Sequence, residues 1–303
     1  MASERVHILL CTRDGARWLP SQLESLRRQT HPDWVLWVSD DSSTDGTERI
    51  LQDFAARNPG RVAAILKGPD QGSAANFLSL LCHPDLPEGY VALCDQDDVW
   101  LPHKLEHALA RLVPFAVQPC GWSGRFEVTD AALRPLHVPP PWPKCPSLGN
   151  AVVQNIMSGH TLTLNPAALA LIRQAGPVCV PHHDWWIYLV LMACEAEAII
   201  DPEIVLQYRQ HARNAVGSHA RTRAHASRFL ALVSGELHGW IMTNLDVLAQ
   251  VGLPLSAQAR YLLDTREQAQ RFALQHLLRR CGLHRQHWLE TAALALVMPQ
   301  LRV

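Results

Sequence analysis

Three carboxylates, Asp95, Asp97 and Asp98, follow directly on the apolar residues 91–94. An apolar run of that length is what a buried strand uses. Carboxylates crowded at the C-terminal end of such a strand repel one another, which costs stability unless positive charge lies between them. A divalent cation meets that need, because hard oxygen ligands suit Mg²⁺ or Mn²⁺ and these ions also hold substrate phosphates. The bland alternative is a solvated acidic turn, since Asp-x-Asp arises by chance in many chains. Trp100, Leu101 and Pro102 lead into a helical pattern, with Pro102 suited to its first position.

The segments before these carboxylates alternate in a way that would position them. Residues 5–12 read as a first buried strand, and 18–29 repeat Trp18, Leu19, Leu23 and Leu26 at helical spacing. A second strand at 34–38 runs into the polar stretch 39–47, whose later Ser, Thr and Asp residues offer N-cap chemistry for a helix to about Ala56. A third strand at 62–66, a loop at 68–73 with two glycines and a helix at 74–81 precede the strand at 91–94. Such alternation implies an α/β fold with a mostly parallel central sheet and helices on both faces. Ligands of these sheets bind outside the carboxyl ends of the strands, so Thr12, Asp41, Gly72 and Asp97 converge on one crevice. The chain lacks both G-x-G-x-x-G and G-x-x-x-x-G-K-[ST], so a phosphate must be handled otherwise, and a cation at Asp97 would do it.

Further along, 121–129 suggest another strand, and 135–149 hold six prolines that exclude a helix or central strand. That segment reads as an irregular loop over the substrate side. A strand approach at 157–165, a helix at 166–174, a stretch at 178–186 opening a helix to about Cys194, and extended chain at 199–207 follow. From about 222 the pattern is helical, with Phe229, Leu232, Val233, Leu237 and Trp240 at apolar positions. The chain has 303 residues, 48% hydrophobic and 18% charged, which describes a well-buried globular protein. Its net charge of −1 gives no global pointer to nucleic acid. Residues 1–203 carry 15 Lys+Arg against 23 Asp+Glu, whereas 204–303 carry 12, all arginine, against 5. The eight cysteines show no C-x-x-C spacing and read as core thiols of a reducing compartment. With no signal-peptide layout and no apolar stretch near the ~20 residues of a membrane span, the expected location is cytoplasmic.

The combination of Val38-Ser-Asp-Asp-Ser-Ser-Thr-Asp-Gly-Thr, Asp95-Gln-Asp-Asp, His183-Asp-Trp-Trp and Tyr208-Arg-Gln-His resembles inverting glycosyltransferases of family 2. The resemblance is strongest to the rhamnosyltransferase-like branch of surface-polysaccharide assembly and covers roughly residues 5–217. It implies a GT-A domain over 1–217 and a helical extension over 218–303. It also implies that Thr12, Asp40 and Asp41 line a nucleotide pocket, and that Asp95 faces sugar or ribose hydroxyls. Asp97 would ligate Mg²⁺ or Mn²⁺ with help from His211, and Asp184 would be the base that an inverting transfer needs. Asp184 at a helix start also fits a simple N-cap. Trp185 and Trp186 offer flat faces for sugar rings, although on a helix they point different ways and at least one belongs to the core. Two departures stand out: His183 where many members have Glu, and His160 where a small residue or cysteine is usual.

The implied partners are a nucleoside-diphosphate sugar, with rhamnose as the guess, and a saccharide or lipid-linked acceptor, with no nucleic acid. A non-catalytic sugar-nucleotide-binding or scaffold subunit of an assembly complex is the competing reading, which loss of Asp97 or Asp184 would have favoured. A nucleotidyltransferase would want a Gly-rich N-terminal loop, which residues 11–18 do not supply. The arginine-rich end suits either peripheral contact with the inner membrane or ion pairing with the acidic front half.

Overall fold

The computed structural model describes residues 4–211, 235–269 and 280–297. Its strands are Val6–Thr12 (β1), Trp34–Asp40 (β2), Val62–Lys67 (β3), Tyr90–Asp95 (β4), Val99–Trp100 (β5), Cys120–Thr129 (β6), Pro135–His137 (β7), Leu162–Leu164 (β8) and Glu197–Arg209 (β9). They form one sheet in the order β3-β2-β1-β4-β8-β6-β9-β5, with β7 on the side of β6. The first four are parallel, and the reversed strand β8 is antiparallel to both β4 and β6. β9 runs parallel to β6, whereas β5 and β7 pair antiparallel with β9 and β6, so the sheet is mixed: parallel from β3 to β4, as the alternating sequence implied, and reversed at β5, β7 and β8.

Helices cover both faces. Leu19–Arg27 (α1), Thr47–Arg57 (α2), Ser73–Leu81 (α3) and Lys104–Leu112 (α4) come first, then the short Leu148–Ala151 (α5), Pro166–Ala175 (α6) and His183–Ala193 (α7). Glu236–Gln250 (α8), Ala257–Ala269 (α9) and Trp288–Val297 (α10) follow. Leu23, Leu51, Phe54, Leu105 and Leu109 of α1, α2 and α4 pack on Ile8, Leu10 and Leu36 to form one core. The opposite core joins Leu9 and Leu93 to Phe77, Ile172 and Leu189, and the C-terminal helices enter it through Leu237, Ile241, Leu245, Leu262 and Leu294. Phe229, Leu232, Val233 and the expected boundary at 217/218 lie outside the described residues.

Several local expectations are corrected. Pro102 precedes α4 and does not open it: β5 intervenes, with Trp100 N donating to Ser25 Oγ (3.1 Å) and Leu101 N to the Val205 carbonyl (2.9 Å). The N-cap position of α2 is Gly46, and Asp45 from the Ser/Thr/Asp run still reaches the helix start, its Oδ1 accepting from Thr47 N (3.2 Å). The same run also satisfies the β1–α1 loop: Asp14 N donates to Ser43 Oγ (2.8 Å), Gly15 N to Thr47 Oγ1 (2.9 Å) and Ala16 N to Asp45 Oδ2 (3.0 Å). The proline-rich segment contains β7 and α5, because β6 and α7 give its ends partners.

Candidate active site

The carboxyl ends of β1, β2 and β4 meet, and hydrogen bonds fasten them. Asp41 N donates to the Thr12 carbonyl (2.8 Å), and the Gln96 amide clamps Arg13, accepting from its N (2.9 Å) and donating to its carbonyl (2.8 Å). Thr12 Oγ1 donates to Asp40 Oδ1 (2.6 Å), and Ser43 binds the same carboxylate through its N (2.9 Å) and its hydroxyl (2.6 Å). Thr12 and Asp40 thus reach the crevice, with their polar atoms engaged in holding its wall. Asp41, 2% exposed, accepts from Asp70 N (2.5 Å) and Gly72 N (3.1 Å) and pairs with Arg13 at 3.4 Å. Gly68 is required beside it, since a Cβ there would sit 2.7 Å from Asp41 Oδ1 and 3.1 Å from its Cα.

The acidic turn after β4 divides its carboxylates between depths. Asp98 is fully buried; its Oδ1 accepts from Arg209 N (3.2 Å), and its Oδ2 has no hydrogen-bond partner among the described residues. Burial, with Asp97 and Asp95 close by, raises its pKa well above the usual range. Asp95 keeps 37% of its side chain open to the crevice, yet desolvation and the charges of Asp97 and Asp184 raise it to about 7. Asp97 lies at the side of β9, its Oδ2 2.9 Å from His211 Nε2, and desolvation raises it too, against the pull of His211. His211 stacks on Trp18 at 5.1 Å, while Arg209 donates from Nε to the Asp97 carbonyl (2.9 Å). The Tyr208-Arg-Gln-His stretch is therefore bound to the carboxylate turn from the far edge of the sheet.

Lys104, in the first turn of α4, has no exposed surface. Its ammonium donates to the His160 carbonyl (2.7 Å) and lies 3.3 Å from the centre of the Trp100 ring. Burial brings its pKa down to about 7, against the pull of Cys94, Asp98 and Asp95. The sequence did carry a sign of it: Lys104, Ala108 and Leu112 share one buried stripe of the helix. His160 faces the carboxylates, with Nδ1 4.0 Å from both Asp95 Oδ2 and Asp98 Oδ2, and its ring stacks on Tyr208 at 5.0 Å.

Asp184 opens α7 on the other side of the crevice. Its Oδ2 accepts from Gly159 N (3.0 Å) and its Oδ1 from Trp185 N (2.8 Å), so it is both a helix-start acceptor and a carboxylate fixed in direction. A Cβ on Gly159 would meet His183 Nε2 at 2.8 Å and Asp184 Cβ at 3.3 Å, which reserves that position for glycine. His183 stacks on Phe77 at 4.2 Å. The expectation for Trp185 is corrected: it is 4% exposed, donates from Nε1 to the Ala151 carbonyl (2.6 Å) and meets Trp240 of α8 edge-on. With α7 enclosed by α5 and α8, Trp185 and Trp186 are both core residues, and neither offers a face to a sugar.

The donor set fits a hard divalent cation. Asp97 and His211 offer one carboxylate and one imidazole, and Asp95, Asp98 and His160 hold ligand atoms within 4.8 Å of one another. Asp98 Oδ2, with no hydrogen-bond partner among the described residues, supports the same conclusion, since a cation there would satisfy an oxygen that burial otherwise leaves without one.

A sheet of this order, with an acidic turn at the end of β4 and a carboxylate opening α7 across the crevice, is a GT-A fold. Solved structures agree in fold: Staphylococcus aureus TarS 1-349 superposes with a TM-score of 0.57 at 14% identity, over 96% of this chain and 83% of that one. The mannosyltransferase PcManGT from Pyrobaculum calidifontis, in complex with GDP-Man and Mn²⁺, gives 0.52 at 19% identity, over 96% and 86%. Residues 7–157 match glycosyl transferase family 2, and the chain belongs to that family. The dTDP-rhamnosyl transferase RfbG of Shigella flexneri is 27% identical in an alignment of 257 positions that covers 78% of this chain and 83% of the relative.

Proposed function

We propose that the protein is an inverting, metal-dependent glycosyltransferase of surface-polysaccharide assembly. It takes a sugar from a nucleoside diphosphate donor and passes it to a saccharide or lipid-linked acceptor. The observation that carries this reading is that one turn joins Asp184 to the acidic end of β4: Gly159 N donates to Asp184 Oδ2 (3.0 Å), and the next residue, His160, has its Nδ1 4.0 Å from Asp95 Oδ2. Rhamnose carried on dTDP is the donor favoured by the likeness to a dTDP-rhamnosyl transferase. Peripheral membrane contact through the C-terminal helices belongs to the same proposal, supported by Trp288 and Leu289, 72% and 62% exposed side by side.

In this mechanism Asp184 takes the proton from the acceptor hydroxyl as that oxygen attacks the anomeric carbon. Gly159 N and Trp185 N hold both carboxylate oxygens, so the base keeps its direction before the acceptor arrives. Asp41 and the residues bonded to it shape the nucleotide end, and Asp95 faces the hydroxyls of ribose or sugar. A divalent cation on Asp97 and His211 would supply positive charge to the departing diphosphate.

Isothermal titration of UDP and dTDP, with and without Mn²⁺, tests the donor side. Binding should need the metal and be lost in Asp97→Ala. Asp184→Asn should keep the nucleotide affinity while turnover falls at least ~100-fold. Failure of either nucleotide to bind under any condition would leave the scaffold reading ahead.

A further inference from the structure

The turn at residues 158–161 touches both halves of the crevice. On the carboxylate side the buried Lys104 ammonium donates to the His160 carbonyl (2.7 Å), and the His160 ring faces Asp95 and Asp98. On the base side Gly159 N donates to Asp184 Oδ2 (3.0 Å). Between these contacts the turn is stiff. Thr161 N and Oγ1 both donate to the Ser158 carbonyl (3.0 and 2.9 Å), and Thr161 Oγ1 lies 2.6 Å from Ser123 Oγ on β6. A fully buried lysine is rare unless it is paired, and here its hydrogen bond goes to backbone, which serves to place the turn.

We propose that Lys104 and Gly159 are positioning residues that set the direction of Asp184 through this turn, tying the base to the carboxylate end of β4. The proposal rests on the reading of Asp184 as the base. Lys104 touches no reacting atom; it fixes the His160 carbonyl, the turn transmits that placement, and the Gly159 amide delivers it to the carboxylate. Two contacts at opposite ends of one rigid unit should fail together, because losing either frees the turn.

The test uses the full chain with Lys104→Met, Gly159→Ala and the double variant. The readouts are UDP or dTDP affinity with Mn²⁺, the thermal midpoint, and release of nucleoside diphosphate from UDP-glucose or dTDP-rhamnose, according to which nucleotide binds. Each single variant should lower kcat at least about tenfold and leave nucleotide Kd within about threefold, and the double should be no slower than the slower single. Wild-type kcat in either single, losses that multiply, or a nucleotide affinity that falls in step with kcat would each overturn it. Should Lys104→Met fail to fold, Gly159→Ala is compared with Gly159→Ala/His183→Ala, in which the ring that the new Cβ meets is gone. Recovery of kcat over Gly159→Ala supports the proposal, and no recovery overturns it. Wild-type protein that neither binds nucleotide nor releases it sinks the functional reading itself, a result separate from wild-type behaviour that the variants merely match.

Discussion

His160 stays neutral far into the acid range, because burial and the nearby Lys104 charge lower its pKa from 6.5 to about 3. Between those values the unfolded chain binds a proton that the folded one refuses, so this group's share of stability rises with pH from about 3 to 6.5 and is lost on acidification. Asp95 acts in the opposite sense: with its pKa raised from 3.8 to about 7, the folded state holds the extra proton and loses stability as pH rises through that window. His160→Gln should therefore lose less thermal stability than wild type between pH 6.5 and pH 3; superimposable melting curves would refute the assignment. At this scale the motif residues were legible because their types announce chemistry. Gln96 and Arg209 stood inside the motifs with no role of their own, and Lys104 showed only as one position of a buried stripe, since each bonds to residues remote in sequence, as Lys104 does to His160. Trp185 was misread because helix α8, which covers it, is remote in sequence.

The loop between β3 and α3 encloses Asp41, whose carboxylate already accepts its amides at Asp70 and Gly72. A nucleotide base that is to use this carboxylate must first displace that loop. Stopped-flow mixing with UDP or dTDP should show an observed rate that levels off as nucleotide rises, the signature of opening before binding. A rate that climbs linearly to the highest concentrations would exclude such a step. The elements β1 to β4 and their helices could be read locally, because each carries its own apolar period and turn residues. β5, β7 and β8 are two or three residues long and exist by virtue of partners: β5 by β9, β7 by β6, β8 by β4 and β6. The bonding of residues 43–47 to the β1–α1 loop was hidden for the same reason, since cap chemistry and loop clamping draw on the same side chains.

Among the described residues no helix is long and apolar enough to cross a membrane. The adjacent Trp288 and Leu289 side chains, on a segment rich in arginine, suit an anionic bilayer surface. Wild type should sediment with phosphatidylglycerol vesicles, and Trp288→Ser/Leu289→Ser should weaken that partition about tenfold or more. Equal sedimentation of the two proteins would remove the contact. The same C-terminal helices complete the core around α7, with Leu237, Ile241, Leu245 and Leu294 packed against it. During synthesis that has a consequence for timing. Among the described residues, the face with α1, α2 and α4 draws nothing from beyond Tyr208, whereas the core on the α7 side includes side chains as late as Leu294. At roughly 5–20 residues per second the ribosome takes about 4–17 s to cover that interval, during which the core on the α7 side lacks part of its cover. The nascent chain is then most in need of a chaperone, after its crevice residues have been made and before its core is closed.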